Sequence, residues 1–218
     1  MLHTEVMSAA QQRLLGNFGR YAETRGFVLA GGTAVAIHLG HRRSAGLDWF
    51  TNDAIPDPLD LAADLRRAGL EIAVTDTAPG TLHGLLDGVR VSMLEYHYPL
   101  LVPLVEWPEY GCQLYAPEDL SAMKLSAVAG RARKDFIDVY ALGRVCFQLD
   151  RMLELYQEKF GVQDLGHVLM SLTFFDDAEE EETPEMLWGT PWVEVKRSIE
   201  SWVVTLVERA EPPQAVCC

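Results

Sequence analysis

An apolar run, Phe27-Val28-Leu29-Ala30, ends in Gly31-Gly32 and passes directly into residues 33–39, a short stretch of helical character. A strand that reaches a glycine pair and leaves as a helix commits this part of the chain to a fold in which sheet and helix alternate. The pair also limits what the turn can do. Glycine permits close backbone approach, and the first turn of a helix offers unpaired N–H groups with partial positive charge. The turn is therefore either plain strand-to-helix geometry or a cradle for an anion.

Patterning of the flanking sequence fills in the architecture. Residues 9–24 read as an amphipathic helix, with Leu14, Leu15, Phe18 and Tyr21 on one face. A second strand is expected over 47–51, then a helix over 57–68 that enters through Pro56 and Pro58 and stops at Gly69. Three strands follow, 70–76, 81–86 and 89–95, the last two joined by Asp87-Gly88, a pair suited to a tight hairpin. An irregular, proline-marked segment from Pro99 to Pro108 precedes a further strand at 111–115. Beyond Pro117 the pattern turns helical, over 117–130, 134–147, 150–160, 163–174 and 192–209. The expected class is α+β: a mixed sheet flanked by helices in residues 1–116, and a helical region, 117–218, packed on it.

Hydrophobic residues make up 49% of the 218 positions and charged residues 23%, enough apolar material for a core and too little charge for global disorder. No apolar stretch reaches the 18 or so residues of a membrane span, and the N-terminus lacks the basic and apolar regions of a signal peptide. Cys112, Cys146, Cys217 and Cys218 form neither a metal-ligand pattern nor a disulfide framework, so the cytosol is the expected compartment. A net charge of −14 disfavours broad contact with nucleic acid. The acidic run 176–182 is expected as a solvated loop between helices. Arg42, Arg43, Lys124, Arg131, Arg133 and Lys134 instead suggest a local basic pocket for a small anion.

Two blocks sharpen this. The first is Gly31, Gly32, Thr33, Gly40, His41, Arg42, Ser44 and Asp48; the second is Glu118, Asp119, Lys124, Arg131, Lys134, Asp135, Asp138, Tyr140 and Leu142. Together they resemble the AbiEii-like toxin family of the DNA-polymerase-β-like nucleotidyltransferases, over residues 27–142. The resemblance implies a nucleotidyltransferase-type sheet, a nucleoside triphosphate bound with Mg²⁺, and transfer of a nucleotidyl group to a hydroxyl on RNA or protein. It also implies a toxin role with an antitoxin partner.

The resemblance further implies roles for single residues. Gly31, Gly32, Thr33, Arg42, Ser44, Lys124 and Arg131 are expected to bind the nucleotide, and Asp48, Lys124, Asp135 and Asp138 to serve catalysis. Lys124 and Arg131, seven apart, share one face on a continuous helix. Of Asp135 and Asp138, either one acts as base toward the acceptor or orients Lys124, or both are structural acids, Asp135 bridging to Arg131 or capping its helix near the N-terminus. In such enzymes an Asp-x-Asp pair on one strand, with a third acid from a neighbouring strand, holds two divalent cations. Here the first aspartate of the pair is Gly46, leaving Asp48 with Glu95 as the candidate third ligand and Asp53 as another substitute. Weakened catalysis with retained binding is the expectation, and a non-catalytic nucleotide-binding or protein-interaction module of the same fold is the alternative. His38 and His41 lack the further ligands of a metal site and are expected to be structural. The tryptophans at 188, 192 and 202 are expected in a helical core.

Overall fold

The computed structural model describes residues 2–210. The expected cysteine pair Cys217 and Cys218 lies outside the described residues. Seven strands form one mixed sheet: β1 (Val28–Ala30), β2 (Gly46–Thr51), β3 (Ile72–Ala78), β4 (Thr81–Leu86), β5 (Val89–Glu95), β6 (Val105–Trp107) and β7 (Cys112–Leu114). Their order is β3-β4-β5-β2-β1-β7-β6. β1 runs antiparallel to β2 and parallel to β7, while β2 and β5 are parallel in the register Gly46↔Arg90, Asp48↔Ser92 and Thr51↔Glu95. The Asp87-Gly88 turn closes β4 onto β5 with both residues at positive φ, 49° and 77°, as a two-residue hairpin with right-handed twist requires.

Alternation along β2 and β5 divides their side chains between two layers. Leu47, Trp49, Val91 and Met93 are buried, and helix α1 (Ala9–Thr24) packs on this side, with Phe18 edge-on to Trp49 at 5.1 Å between ring centroids. Helix α3 (Pro58–Arg67) covers β3 and β4. A capping box starts α1: Ser8 Oγ accepts from the Gln11 N–H and Gln11 Oε1 accepts from the Ser8 N–H. Gln11 Nε2 also donates to the Ser44 carbonyl at 2.9 Å, tying the loop before β2 to the start of α1.

Helix α2 (Gly31–Leu39) follows β1 and packs against α4 (Pro117–Ala127) and α5 (Arg133–Val145). Helices α6 (Leu149–Phe160), α7 (Gly166–Leu172), α8 (Asp176–Glu179) and α9 (Trp192–Ala210) complete the helical half. Buried residues of both halves, including Leu29, Trp49, Leu120, Phe136 and Leu153, belong to one hydrophobic cluster. Burying each large side chain contributes about 1.5–3 kcal/mol.

Three segments differ from expectation. The proline-marked segment contains β6, which pairs with β7 through Val105↔Leu114; three residues between prolines carry too short a pattern to read. The helix expected over 117–130 ends as α4 at Ala127, passes through a 3-10 turn at Val128–Gly130 and breaks where Arg131 adopts φ 59°. The acidic run is not a free solvated loop. It includes α8, whose Ala178 and Glu179 carbonyls accept from Arg133 Nε and Nη2 at 2.7 and 2.9 Å.

Candidate functional site

Gly31 opens α2 at φ 64°, a conformation that L side chains rarely adopt. A Cβ there would lie 2.3 Å from Asp48 Oδ2, and one on Gly32 would lie 2.3 Å from Arg42 Nη2 and 3.2 Å from Asp138 Oδ2. The sequence needs glycine twice here because charged side chains from β2, its preceding loop and α5 press against the turn. The N-cap position, Ala30, has no side chain to accept from the first-turn N–H groups, so this helix start keeps its donors for another acceptor.

Behind the turn lies a buried ionic cluster. Asp138 is fully buried and accepts from His41 Nε2 at 2.8 Å and from Arg42 Nε and Nη2 at 2.7 and 2.8 Å. Lys124 Nζ lies 2.7 Å from both Asp138 Oδ2 and Asp135 Oδ1. Burial alone would raise the Asp138 carboxyl, but Arg42 and Lys124, with hydrogen bonds from His41 and Arg42, hold it well below the usual carboxylate range. Burial works against charge on Lys124 as well, and the two carboxylates overcome it, raising its pKa. Burial lowers the pKa of His41. The cluster holds two cations against two carboxylates; Asp48, beside Gly31, is close enough to Arg42 to raise its pKa further but forms no ion pair with it.

The expected site residues therefore separate. Gly31, Gly32, Asp48, Arg42, Lys124, Asp135 and Asp138 come together. Within that group, Arg42 is only 3% exposed and forked onto Asp138, so its guanidinium braces the turn from below. Thr33 is fully buried; its hydroxyl donates to the Gly46 carbonyl and lies 2.7 Å from Ser44 Oγ, so the Thr33 and Ser44 side chains fasten the loop to α2. Arg131 does not join the group. The broken helix sends it to Asp177, 2.9 Å away, and over the Phe174 ring, so the shared face with Lys124 does not form and Asp135 bridges to Lys124 instead.

Glu95 does not join Asp48 either. It pairs in register with Thr51, an odd number of residues beyond Asp48, so alternation sends it to the opposite face. There it accepts from the Ile55 N–H and from His97 Nε2 at 3.1 Å. Asp53 lies past the end of β2, against Gly26. The β5 positions sharing the Asp48 face are Arg90, Ser92 and Leu94.

A pair of divalent cations needs several carboxylate oxygens at one point. This face offers Asp48 with no second acid beside it, since Asp76, also on it, stands across β5 and β4, and Asp138 is already saturated by three donor side chains. Among the described residues no three His, Cys, Asp or Glu side chains converge as a metal site. The residues present do not fit the two-cation centre that the resemblance implies.

The Asp48 face leads into a cleft of about 420 Å³ lined by Gly31, Phe50, Tyr96, Tyr98, Lys124 and Phe160, among others. Its aromatic rings pack edge to face, Phe50 on Tyr96 at 5.0 Å and Tyr98 on Phe160 at 4.8 Å. Lys159, fully buried, steadies this wall: Nζ donates to Asp119 Oδ1 at 2.6 Å and to the Pro99 carbonyl at 2.9 Å, and lies 5.3 Å from the Tyr96 ring centre. Sequence reasoning missed these rings and Lys159. The sequence carries no pattern that marks them: Lys159-Phe160 is a cation beside an aromatic residue at the end of α6, and only packing brings the two to this wall.

A family model described as nucleotidyl transferase AbiEii toxin, type IV TA system, matches residues 86–201, just over half of the chain. An uncharacterized protein of Aquifex aeolicus is 32% identical over 182 residues, covering 81% of this chain and 88% of the relative. Among solved structures, a candidate nucleotidyltransferase of H. pylori shares the fold at TM-score 0.56 and 14% identity, covering 92% of this chain and 96% of that one. The Megavirus polyadenylate synthase matches more loosely, at TM-score 0.46 and 13% identity; 62% of this chain spans only 31% of that protein. The chain belongs to the AbiEii nucleotidyltransferase family.

Proposed function

We propose that this chain binds a nucleoside triphosphate in the cleft beside Gly31, and that transfer of a nucleotidyl group to a hydroxyl of RNA or protein is residual or lost. The observation that carries the reading is the meeting of an uncapped helix start with an aromatic cleft, at a turn that excludes every side chain. Phosphate oxygens accept from the Gly31-Gly32 end of α2, as anions do at helix N-termini. Lys124, at the cleft wall, adds positive charge without leaving its carboxylates. The nucleobase stacks between Phe50, Tyr96 and Tyr98. The transfer step is curtailed because Gly46 supplies no ligand and the register puts Ser92, not an acid, beside Asp48.

This makes the protein a nucleotide-binding member of a toxin family, working in the cytosol and contacting an antitoxin partner through its own surface. The test is calorimetric titration with ATP, GTP, CTP and UTP, alongside incubation of labelled triphosphates with total RNA. At least one nucleotide is expected to bind, with at most trace label transferred to RNA or to protein. Tyr98→Ala, at an exposed ring of the cleft, is expected to cost about 1–3 kcal/mol of binding, the scale of one aromatic–base stack. Efficient label transfer by the native protein would overturn the inactive part of this reading, and absence of binding by all four nucleotides would overturn the whole.

A further inference from the structure

Gly46 removes a carboxylate from the face that Asp48 occupies, and what stands beside the gap is a cation. Arg90 pairs directly with Gly46 across the β2–β5 ladder, where strands lie about 4.8 Å apart. It shares the face of Asp48 and is its diagonal neighbour, a separation that long side chains span. A Cβ on Gly46 would meet Arg90 Cβ at 3.7 Å and the Arg90 carbonyl at 3.4 Å, ordinary contact at an unstrained backbone. The strand would accept aspartate at position 46; glycine is not a steric requirement. Arg90 is exposed and makes no ion pair or side-chain hydrogen bond among the described residues.

Asp48, which makes no ion pair among the described residues and feels Arg42 only from below the turn, and an uncommitted guanidinium on the same face are complementary. A phosphate arriving at Gly31 would be repelled by Asp48 unless a positive charge stood between them, which in the two-cation enzymes is the role of the metal. Guanidinium provides fixed charge and a planar fork of donors suited to phosphate oxygens.

We infer that the site binds phosphate groups without a divalent cation, Arg90 bridging the phosphate and Asp48 in place of the metal. This rests on the nucleotide-binding reading above and adds to it which group neutralises the phosphates. Gly46 and Arg90 then form one linked feature, since an acid at position 46 would compete for the guanidinium.

The experiment is calorimetric titration of the full chain with its best-binding nucleoside triphosphate and with inorganic triphosphate, in Mg²⁺ and in EDTA. Affinities within about twofold in the two buffers are expected. Arg90→Met is expected to weaken both ligands at least tenfold while leaving the melting temperature within a degree or two, and Arg90→Lys to recover part of the loss. In Gly46→Asp, affinity in EDTA is expected to drop and Mg²⁺ to restore it. A tenfold loss for the native protein in EDTA would sink the inference, as would an Arg90→Met variant that binds like the native chain. If the native protein binds nothing in either buffer, the nucleotide-binding reading fails as well. Loss of binding in Tyr98→Ala with no effect of Arg90→Met would retain that reading and reject this one.

Discussion

Asp138 shows how much one carboxylate can organise. Its two oxygens take donors from His41, Arg42 and Lys124, residues from a loop and a helix that are far apart in the chain. Removing one member of a buried ion pair strands the remaining charge, at a cost of about 3–5 kcal/mol. Asp138→Asn is therefore expected to lower unfolding free energy by about that amount in urea titrations at pH 7, whether or not a ligand is present. His41 gives a pH dependence of definite sign. Its folded pKa lies below the unfolded value of about 6.5, so the unfolded chain binds the extra proton first. The stability contributed by neutral His41 is full above about pH 6.5 and is lost as pH falls toward its folded pKa. Melting temperatures between pH 7 and pH 5 should therefore fall in the native protein and fall less in His41→Gln. Asp138 acts in a lower window: its depressed pKa contributes stability that is present above the unfolded value near 4 and disappears as pH drops below it.

At the scale of elements, the start of α2 decides where the site is. Its helix begins at Gly31 itself, two residues earlier than the apolar pattern suggests, because positive φ at Gly31 turns the chain out of β1 at once. Gly31→Ala would hold a side chain at φ 64° and drive its Cβ against Asp48, and a cost of about 1–2 kcal/mol is expected from the backbone conformation alone. Thermal unfolding measures it, and Gly16→Ala, in α1 with open space around it, is the control expected to be neutral or slightly stabilising. The latch between α5 and α8 is a second element-scale device. Arg133 fills the α8 carbonyl end and donates to Thr183 Oγ1 at 2.6 Å, with the Trp192 ring beside it. Arg133→Met should free the acidic segment, seen as faster proteolysis between 176 and 185 with little change in global unfolding.

Over the whole molecule, two buried ionic centres join the sheet half to the helical half. One is the Asp138 cluster; the other is Lys159 of α6 with Asp119 of α4, which also accepts from the Leu101 and Val102 N–H groups. The second centre pins the chain between β5 and β6 over the aromatic wall. Replacing a pair with neutral groups of similar volume is often near neutral, whereas removing one partner is not. Lys159→Met is accordingly expected to destabilise by about 3–5 kcal/mol, with a large part recovered in Lys159→Met/Asp119→Asn. Denaturant titration of the two singles and the double would measure that coupling, and additive losses would show that the two side chains act independently.

Period and punctuation in the sequence located most elements: the alternation of β4 and β5, the Asp87-Gly88 turn, and the strand–glycine–helix at 28–39 all stand close to where they were read. Those features are local, and local sterics fix them. The pairing of charges was not legible. Arg42, Lys124, Asp135 and Asp138 all stood out in the sequence, yet that they neutralise one another follows only once α2, α4 and α5 pack together. Glu95 was the nearest acid on the neighbouring strand, yet period two already sets it with Val91 and Met93 on the face opposite Asp48; what alternation does not give is the register between strands some forty residues apart. The parallel register of β2 and β5 decided that Ser92 and Arg90, not an acid, stand beside Asp48 and Gly46. Long-range pairing is set by burial of the whole sheet, so the folded structure alone determines which charge faces the site.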